Sequence, residues 1–285
     1  MINNMLLILV IMGVTLQQIM KKAYNTKIKG GAYGFGGATA LAALAVFLLT
    51  SGGNLMLEKT PVVYSVAFSA CYCMGAIFSL LAINEGPLAL TSLVIQYSLM
   101  IPTVYGLTKG NEKPSTYLII GIVFLLASLL FINLDKKGEE RKITFKWGIY
   151  AFLAFVGNGG CSTVQKIQQV NCNKQYKSEF MILAYLISVV VLLVMAATTE
   201  GKKFMKDIKA GWLFWLACGL ANGVVNYLVL VLSGEMPASV MFPLISAGGI
   251  LATFLVSLFL YKEKLSKYQN IGLILGIISV VFLNI

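Results

Sequence analysis

The chain has 285 residues, 58% of them hydrophobic and only 12% charged, with 22 Lys and Arg against 11 Asp and Glu. A water-soluble domain carries about 25% charged residues, so a soluble globular fold is excluded, and a mean hydropathy of +0.84 excludes disorder. What remains is an all-α polytopic membrane protein. The net charge of +11 reads as lysines flanking membrane spans and not as a nucleic-acid surface.

The first apolar segment covers residues 4–20. Met1 to Asn4 carry no Lys or Arg and no small-residue cleavage site follows, so it reads as a retained span, not a signal peptide. Apolar segments follow at 32–51, 61–83, 87–107 and 115–134. The last of these, from Tyr117 to Leu134, is continuously apolar and lacks the alternation of an outer-membrane strand. The longest charged connection, Asp135 to Lys146, comes next. A second series runs over 146–165, 179–198, 211–232, 237–261 and 267–285. A span takes roughly 20 apolar residues. Ten spans therefore leave on the order of 8 residues per connection and no room for a soluble domain.

The two series repeat. YLIIGIVFLLASLLFINL (117–134) and YQNIGLILGIISVVFLNI (268–285) share Tyr, Ile, Gly, Ser, Phe and Asn at an offset of 151. The pair Glu112-Lys113 falls on Glu263-Lys264. Glu85-Gly86-Pro87 matches Glu235-Met236-Pro237 at an offset of 150, and Thr15, Gln17 and Ile19 match Thr163, Gln165 and Ile167 at 148. The order is kept and the offset drifts by three. The chain thus reads as a five-helix unit (1–134), a cytoplasmic linker (135–145) and a second five-helix unit (146–285). Five is odd, so the second unit enters the membrane from the opposite side. Inverted repeats of this kind are the architecture of alternating-access carriers, with a site at the midplane between the halves.

Orientation follows from the positive charge. Of the 22 Lys and Arg, 16 follow the odd-numbered segments and 6 the even-numbered ones, Lys166 among the latter. The basic side is expected to be cytoplasmic, which puts both termini outside.

Certain motifs give these spans a family likeness. AINEGPLALTS (82–92) lies at the junction of the third and fourth spans, MPASVMFP (236–243) repeats the theme, and YKEKLS (261–266) precedes the last span, with Gly272 and Gly276 following. In these features the whole chain resembles the ten-helix, EamA-like branch of the drug/metabolite transporter superfamily. The resemblance implies a 5+5 inverted-repeat carrier with a cavity lined by spans 1, 3, 4, 6, 8 and 9, and spans 5 and 10 at the periphery. Ten-helix members usually have both termini in the cytoplasm, and the lysine distribution here points the other way. Small four-helix relatives use a membrane-embedded glutamate in their first helix. Here the first and sixth spans hold Gln17 and Gln165 and no acid, against proton-coupled cation export.

Polar side chains inside spans are costly in lipid and face a partner or a cavity. They concentrate on the six helices that the resemblance makes cavity-lining. The substrate-binding residues expected are Gln17, Tyr72, Gln96, Tyr97, Asn158, Gln165, Asn222, Asn226 and Ser246. Asn222 and Asn226 are four apart and share a helix face. Amides and phenols offer donors and acceptors together and suit a neutral or zwitterionic solute. They equally suit hydrogen bonds between helices. Tyr72, Tyr97 and Tyr227 have the composition of an aromatic cage for a cation, or of packing. Glu85 and Glu235, beside Pro87 and Pro237, read as acids at helix N-termini. Gly157-Asn158-Gly159-Gly160 and Gly248-Gly249 read either as close helix packing or as bendable backbone at a ligand. Pro102 and Pro243 are expected to kink spans 4 and 9. The glycines from Gly30 to Gly37 read as a helix start and a packing surface. The stretch Lys202 to Lys209 is expected at the anionic leaflet surface.

The chain has no histidine, which excludes histidine metal sites and histidine general bases. Cys71, Cys73, Cys161, Cys172 and Cys218 read as apolar packing residues. No nucleotide-binding loop is present. No catalytic residue, cofactor or metal is expected. The function expected is secondary active transport of a small polar metabolite or drug-like solute across the cytoplasmic membrane, with a coupling ion or proton as an open possibility. A lipid-flipping or accessory membrane subunit is the alternative. The expected partners are the solute and the lipid bilayer, not nucleic acid, with the chain acting as a monomer or homodimer.

Overall fold

The computed structural model describes residues 2–52, 59–85, 88–109, 115–133, 144–260 and 267–283, and all regular structure among them is helical. In chain order the helices are α1 (Ile2–Lys27), α2 (Ala32–Thr50), α3 (Lys59–Glu85), α4 (Leu88–Tyr97), α5 (Met100–Thr108) and α6 (Thr116–Asn133). They continue as α7 (Phe145–Asn171), α8 (Lys177–Thr199), α9 (Lys203–Ala210), α10 (Trp212–Glu235), α11 (Ala238–Leu260) and α12 (Lys267–Leu283). Each expected apolar segment falls on a helix, with two departures. The fourth is split into α4 and α5, and the basic stretch after the seventh forms the short helix α9. Gly86, Pro87, Glu112, Lys113, residue 134, residues 135–143 of the linker and residues 261–266 lie outside the described residues.

The split has a local cause. Pro102 lacks an N–H, and its ring excludes the carbonyl four residues back, that of Ser98. The backbone there closes three-residue turns instead: Ser98 N–H donates to Ile95 O, Leu99 N–H to Gln96 O and Ile101 N–H to Ser98 O. Pro243 lies inside α11, which stays one continuous helical element.

Small residues set how closely the helices approach. A side chain at Gly157 of α7 would collide with the backbone of Gly75 and Cys71 on α3, and one at Gly159 with Ser98 O and Ile101 at the α4–α5 break. A side chain at Gly219 of α10 would meet Thr39 O on α2, and one at Gly37 the side chain of Leu193 on α8. The Gly157–Gly160 stretch is therefore a packing surface inside a regular helix, and Gly30–Gly37 is a helix start whose glycines admit α8 and α9.

The helix pairs are reciprocal. Dense contacts join α3 to α7 and α1 to α10, α2 to α10 and α3 to α8, α2 to α8, and α6 to α12. Exchanging α1 with α7, α2 with α8, α3 with α10 and α6 with α12 maps this set onto itself. One pair of hydrogen bonds repeats it at atomic level. Ser128 Oγ donates to Gly272 O at 2.6 Å, and Ser279 Oγ donates to Gly121 O at 2.8 Å. Both partners are related by the offset of 151 found in the sequence.

Two clusters mark the ends of the bundle. Tyr24, Ala32, Phe35, Leu80 and Cys218 gather the end of α1, the start of α2, the end of α3 and the start of α10. Phe47, Phe68, Phe180 and Leu230 gather the opposite ends of α2, α3, α8 and α10. α1, α2, α3, α8 and α10 contain segments long and apolar enough to cross a membrane. Large apolar side chains such as Leu49, Val63, Leu130, Val190 and Ile274 point outward. That is the arrangement of a protein whose outer solvent is lipid.

Candidate functional site

Between the helices lies a cavity of about 180 Å³. α1 contributes Val10, Val14, Gln17, Gln18 and Lys21; α2 contributes Phe35, Gly36 and Thr39; α3 contributes Phe68, Tyr72, Gly75, Ala76 and Leu80. The α4–α5 break adds Ile95, Gln96, Ser98 and Leu99, α7 adds Asn158, Cys161, Ser162 and Gln165, and α10 and α11 complete it. α6, α8 and α12 do not reach it among the described residues.

Of the expected residues, the cavity wall brings together Gln17, Tyr72, Gln96, Asn158, Gln165, Asn222 and Asn226. Four of them form one chain of hydrogen bonds across three helices. Gln165 Nε2 donates to Asn226 Oδ1 at 2.8 Å, Asn226 Nδ2 donates to Asn222 O at 2.9 Å, and Asn222 Nδ2 donates to Gln17 Oε1 at 2.9 Å. Tyr185, from α8 behind the wall, donates its hydroxyl to Asn222 Oδ1 at 2.7 Å. These amides both join helices and line the space. Asn158 Nδ2 donates within α7 to Ala154 O at 2.8 Å.

Ser246 and Tyr97 are placed differently. Ser246 is buried behind the wall, its Oγ donating to Gln96 O at 3.3 Å. That bond ties α11 to the carbonyl just before the α4–α5 break. Tyr97 packs against the apolar cluster of Phe242 and Ile245 and is not among the lining residues. The three tyrosines do not converge into a cage. Tyr72 stands edge-on to Tyr185, with ring centroids 5.4 Å apart, and Tyr227 packs on Phe47 at 6.1 Å.

Two readings of charge are corrected. Glu85 and Glu235 are the last residues of α3 and α10, the helix end where the dipole disfavours an acid. Each is offset by a lysine: Lys146 pairs with Glu85, and Lys174 with Glu235 at 2.9 Å. Pro237 comes after the end of α10 and directly before α11, its carbonyl accepting from Met241 N–H at 3.0 Å. Lys166, expected in a connection, lies inside α7 and is 7% exposed. Its Nζ donates to Ser233 O at 3.1 Å and Met236 O at 2.9 Å, closing the C-terminal carbonyls of α10.

Lys21 and the α2 residues were missed as lining. The signal was present for Lys21. Val10, Val14, Gln17 and Lys21 recur at three- and four-residue spacing on one face of α1. α2 carries no comparable signal, because its wall is made of Phe35, Gly36 and one threonine.

A separate polar knot ties the connection after α8 to the start of α2. Glu200 accepts from Tyr33 N–H at 2.7 Å and Gly34 N–H at 3.2 Å, and Asp207 accepts from Gly31 N–H at 3.3 Å. These carboxylates satisfy the open N–H groups of α2. Burial raises the Glu200 carboxyl above the ordinary value, partly opposed by the two backbone bonds.

With the geometry in view, comparison with known proteins identifies the class. The EamA-like transporter family matches residues 145–285, the second half of the chain. The protein belongs to the drug/metabolite transporter superfamily and is a multi-pass membrane protein of transporter type. Of 28 solved chains that match, one crystal structure has a TM-score of 0.78 at 13% identity and covers 98% of each chain. At that identity the likeness is one of fold. No curated protein sequence matches.

Proposed function

We propose that this protein is a secondary active transporter that moves a small polar solute across the cytoplasmic membrane by alternating access. In this reading ten spans form two inverted halves, 1–134 and 146–285, joined by a cytoplasmic linker at 135–145. The observation that carries it is the central cavity, whose amide chain takes Gln17 from one half and Gln165, Asn222 and Asn226 from the other. A solute held there touches both halves, so rocking one against the other changes its access. The reciprocal helix pairs support the inverted repeat. A volume of about 180 Å³ falls below the roughly 300–1,000 Å³ of sites for drug-sized ligands, which favours a metabolite over a bulky drug.

The state described is closed at one end. There Lys166 fastens α7 to the C-terminal carbonyls of α10, and Leu7, Val10, Val229, Leu232 and Phe242 pack in one cluster. The cavity wall runs from this seal toward half-exposed Lys21. Lysines concentrate at that second end, and moving Lys166 from a connection into a helix widens the asymmetry. We read the Lys21 end as cytoplasmic, which leaves both termini outside and the cavity facing inward.

The test is a thermal-shift screen of the purified full-length chain against amino acids, organic acids, nucleobases, nucleosides, quaternary amines and sugars. Wild type is compared with Asn222→Ala/Asn226→Ala. A solute at 100 times its Kd stabilises by about 2.7 kcal/mol, and the double variant is expected to abolish the shift. A hit kept in the double variant moves the site off α10. Hits are then followed by counterflow in liposomes, where entry without exchange rejects the carrier reading. No hit anywhere, with lipid scrambling in the same liposomes, replaces it by the lipid-flipping alternative.

A further inference from the structure

The chemistry of the cavity wall narrows the solute further, and this step rests on the reading of the cavity as a solute site. Among the described residues the wall holds one charged side chain, that of Lys21, and no carboxylate. Lys21 makes no ion pair among the described residues. It stands one helical turn beyond Gln17, with Gln18 on the same face of α1. Its ammonium offers three donors and no acceptor, and Gln18 offers two more from its amide.

The rest of the wall disfavours a cation. Three of the amide oxygens at the wall each accept one bond, Gln17 Oε1 from Asn222, Asn222 Oδ1 from Tyr185 and Asn226 Oδ1 from Gln165, and Gln18, Gln96, Asn158 and Gln165 bring further amides to it. A solute ammonium entering this space would meet no carboxylate among the described residues and would share the space with the like-charged Lys21 ammonium. A tyrosine cage, the other way to hold a cation, is not assembled. Beyond the amides the wall carries the hydroxyl side chains of Thr39, Tyr72, Ser98 and Ser162, and its apolar part is made by residues such as Val10, Val14, Val225, Val229, Phe242 and Ile245.

We propose that the cavity selects a small organic monoanion, a carboxylate with an apolar tail. Lys21 and Gln18 hold the carboxylate at the half-exposed end, and the tail lies toward the valines and Phe242. One lysine balances one negative charge. A dicarboxylate or a phosphate dianion would bring a second charge with no partner into a space whose walls are helices, and an unpaired buried charge is costly. A free amino acid is disfavoured for the same reason, through its ammonium.

The experiment uses four probes of nearly one shape: 4-methylpentanoate, 4-methylpentanamide, 3-methylbutylamine and leucine. Each is titrated against purified full-length protein by isothermal calorimetry, on wild type, Lys21→Gln, Lys21→Arg and Asn222→Ala/Asn226→Ala. Binding in detergent is read directly because the protonated acid crosses membranes unaided. The anion is expected to bind wild type at least about tenfold tighter than the amide, from a charge-assisted hydrogen bond. Lys21→Gln is expected to erase that preference while leaving amide binding in place, and Lys21→Arg to keep it. Lys21 makes no ion pair among the described residues, and a variant whose melting temperature matches wild type reports binding and not folding. Equal or better binding of the amide, amine or leucine overturns the monoanion proposal and leaves the carrier reading standing, provided the double variant loses those probes. A preference for the anion that survives Lys21→Gln also overturns it. No binding by any probe overturns the monoanion proposal, and the carrier reading is then decided by the wider solute screen.

Discussion

The two ends of the cavity are built from the same stretch of sequence used twice. Gln17, Gln18 and Lys21 of α1 stand at the positions of Gln165, Lys166 and Gln169 of α7, an offset of 148. Each half places one lysine among two glutamines, but one position along or four. In α7 the lysine is buried and bound to the carbonyls that end α10. In α1 it stands half-exposed at the cavity wall with no ion-pair partner among the described residues. A shift of one turn thus separates a latch from a candidate ligand contact. Matching positions on α1 and α7 thus place their lysine differently, one against the carbonyls that end α10 and one at the cavity wall.

That contrast can be broken or sharpened by substitution. The largest effect is expected where the halves touch most closely. Gly157→Ala puts a methyl against the backbone of Gly75 and forces α3 from α7, at about 2–3 kcal/mol of stability. Thermal unfolding in detergent reads it, and a melting temperature equal to wild type would show that the α3–α7 approach is looser than described. Next comes the latch. Lys166→Met keeps the length of the chain but leaves Ser233 O and Met236 O without this donor, at about 1–3 kcal/mol. The same variant should increase modification, by a membrane-impermeant thiol reagent, of a cysteine placed at Ser233. Unchanged labelling would mean that Lys166 does not hold that end shut.

A smaller pair of effects tests the repeat itself. Ser128→Ala and Ser279→Ala each remove one symmetric interhelical bond between α6 and α12, and each should cost about 0.6 kcal/mol. Equal shifts sharpen the two-fold reading, and a large effect at one site alone breaks it. The smallest effect concerns pH. Because burial raises the folded-state value of Glu200, the folded protein holds that proton more tightly than the unfolded chain. Stability should therefore fall as pH rises from the ordinary carboxylate value through the raised one, and Glu200→Gln should flatten that part of the profile. A profile unchanged by the substitution would assign the slope to another group.

Several parts of the fold were readable from the residues alone. Segments such as 32–51 and 179–198 declare helices because lipid demands long apolar runs with backbone bonds satisfied internally. The repeat was readable because Ser128 and Ser279, with Gly121 and Gly272, keep their spacing. The amide set was readable because a Gln or Asn inside such a run has few places to go. Lys166 and Glu85 show where the reading stopped. A lysine near an expected span end looks like a flanking charge until the helix is seen to continue to Asn171 and α10 to end against it. Glu85 looks like a first-turn acid until α3 is seen to end on it.

The sequence by itself determined an all-helical chain in lipid, the motifs that recur along it and the residue types able to meet a polar solute. Hydropathy, spacing and composition are local properties, and they survive without knowledge of neighbours. Only the tertiary structure decided which amides bond to one another, which lysine is a latch, and that Tyr97 and Ser246 stand behind the wall. Those outcomes depend on where a second helix ends and how near its backbone comes. Glycines such as Gly157 permit that approach, but only the packed partner defines it.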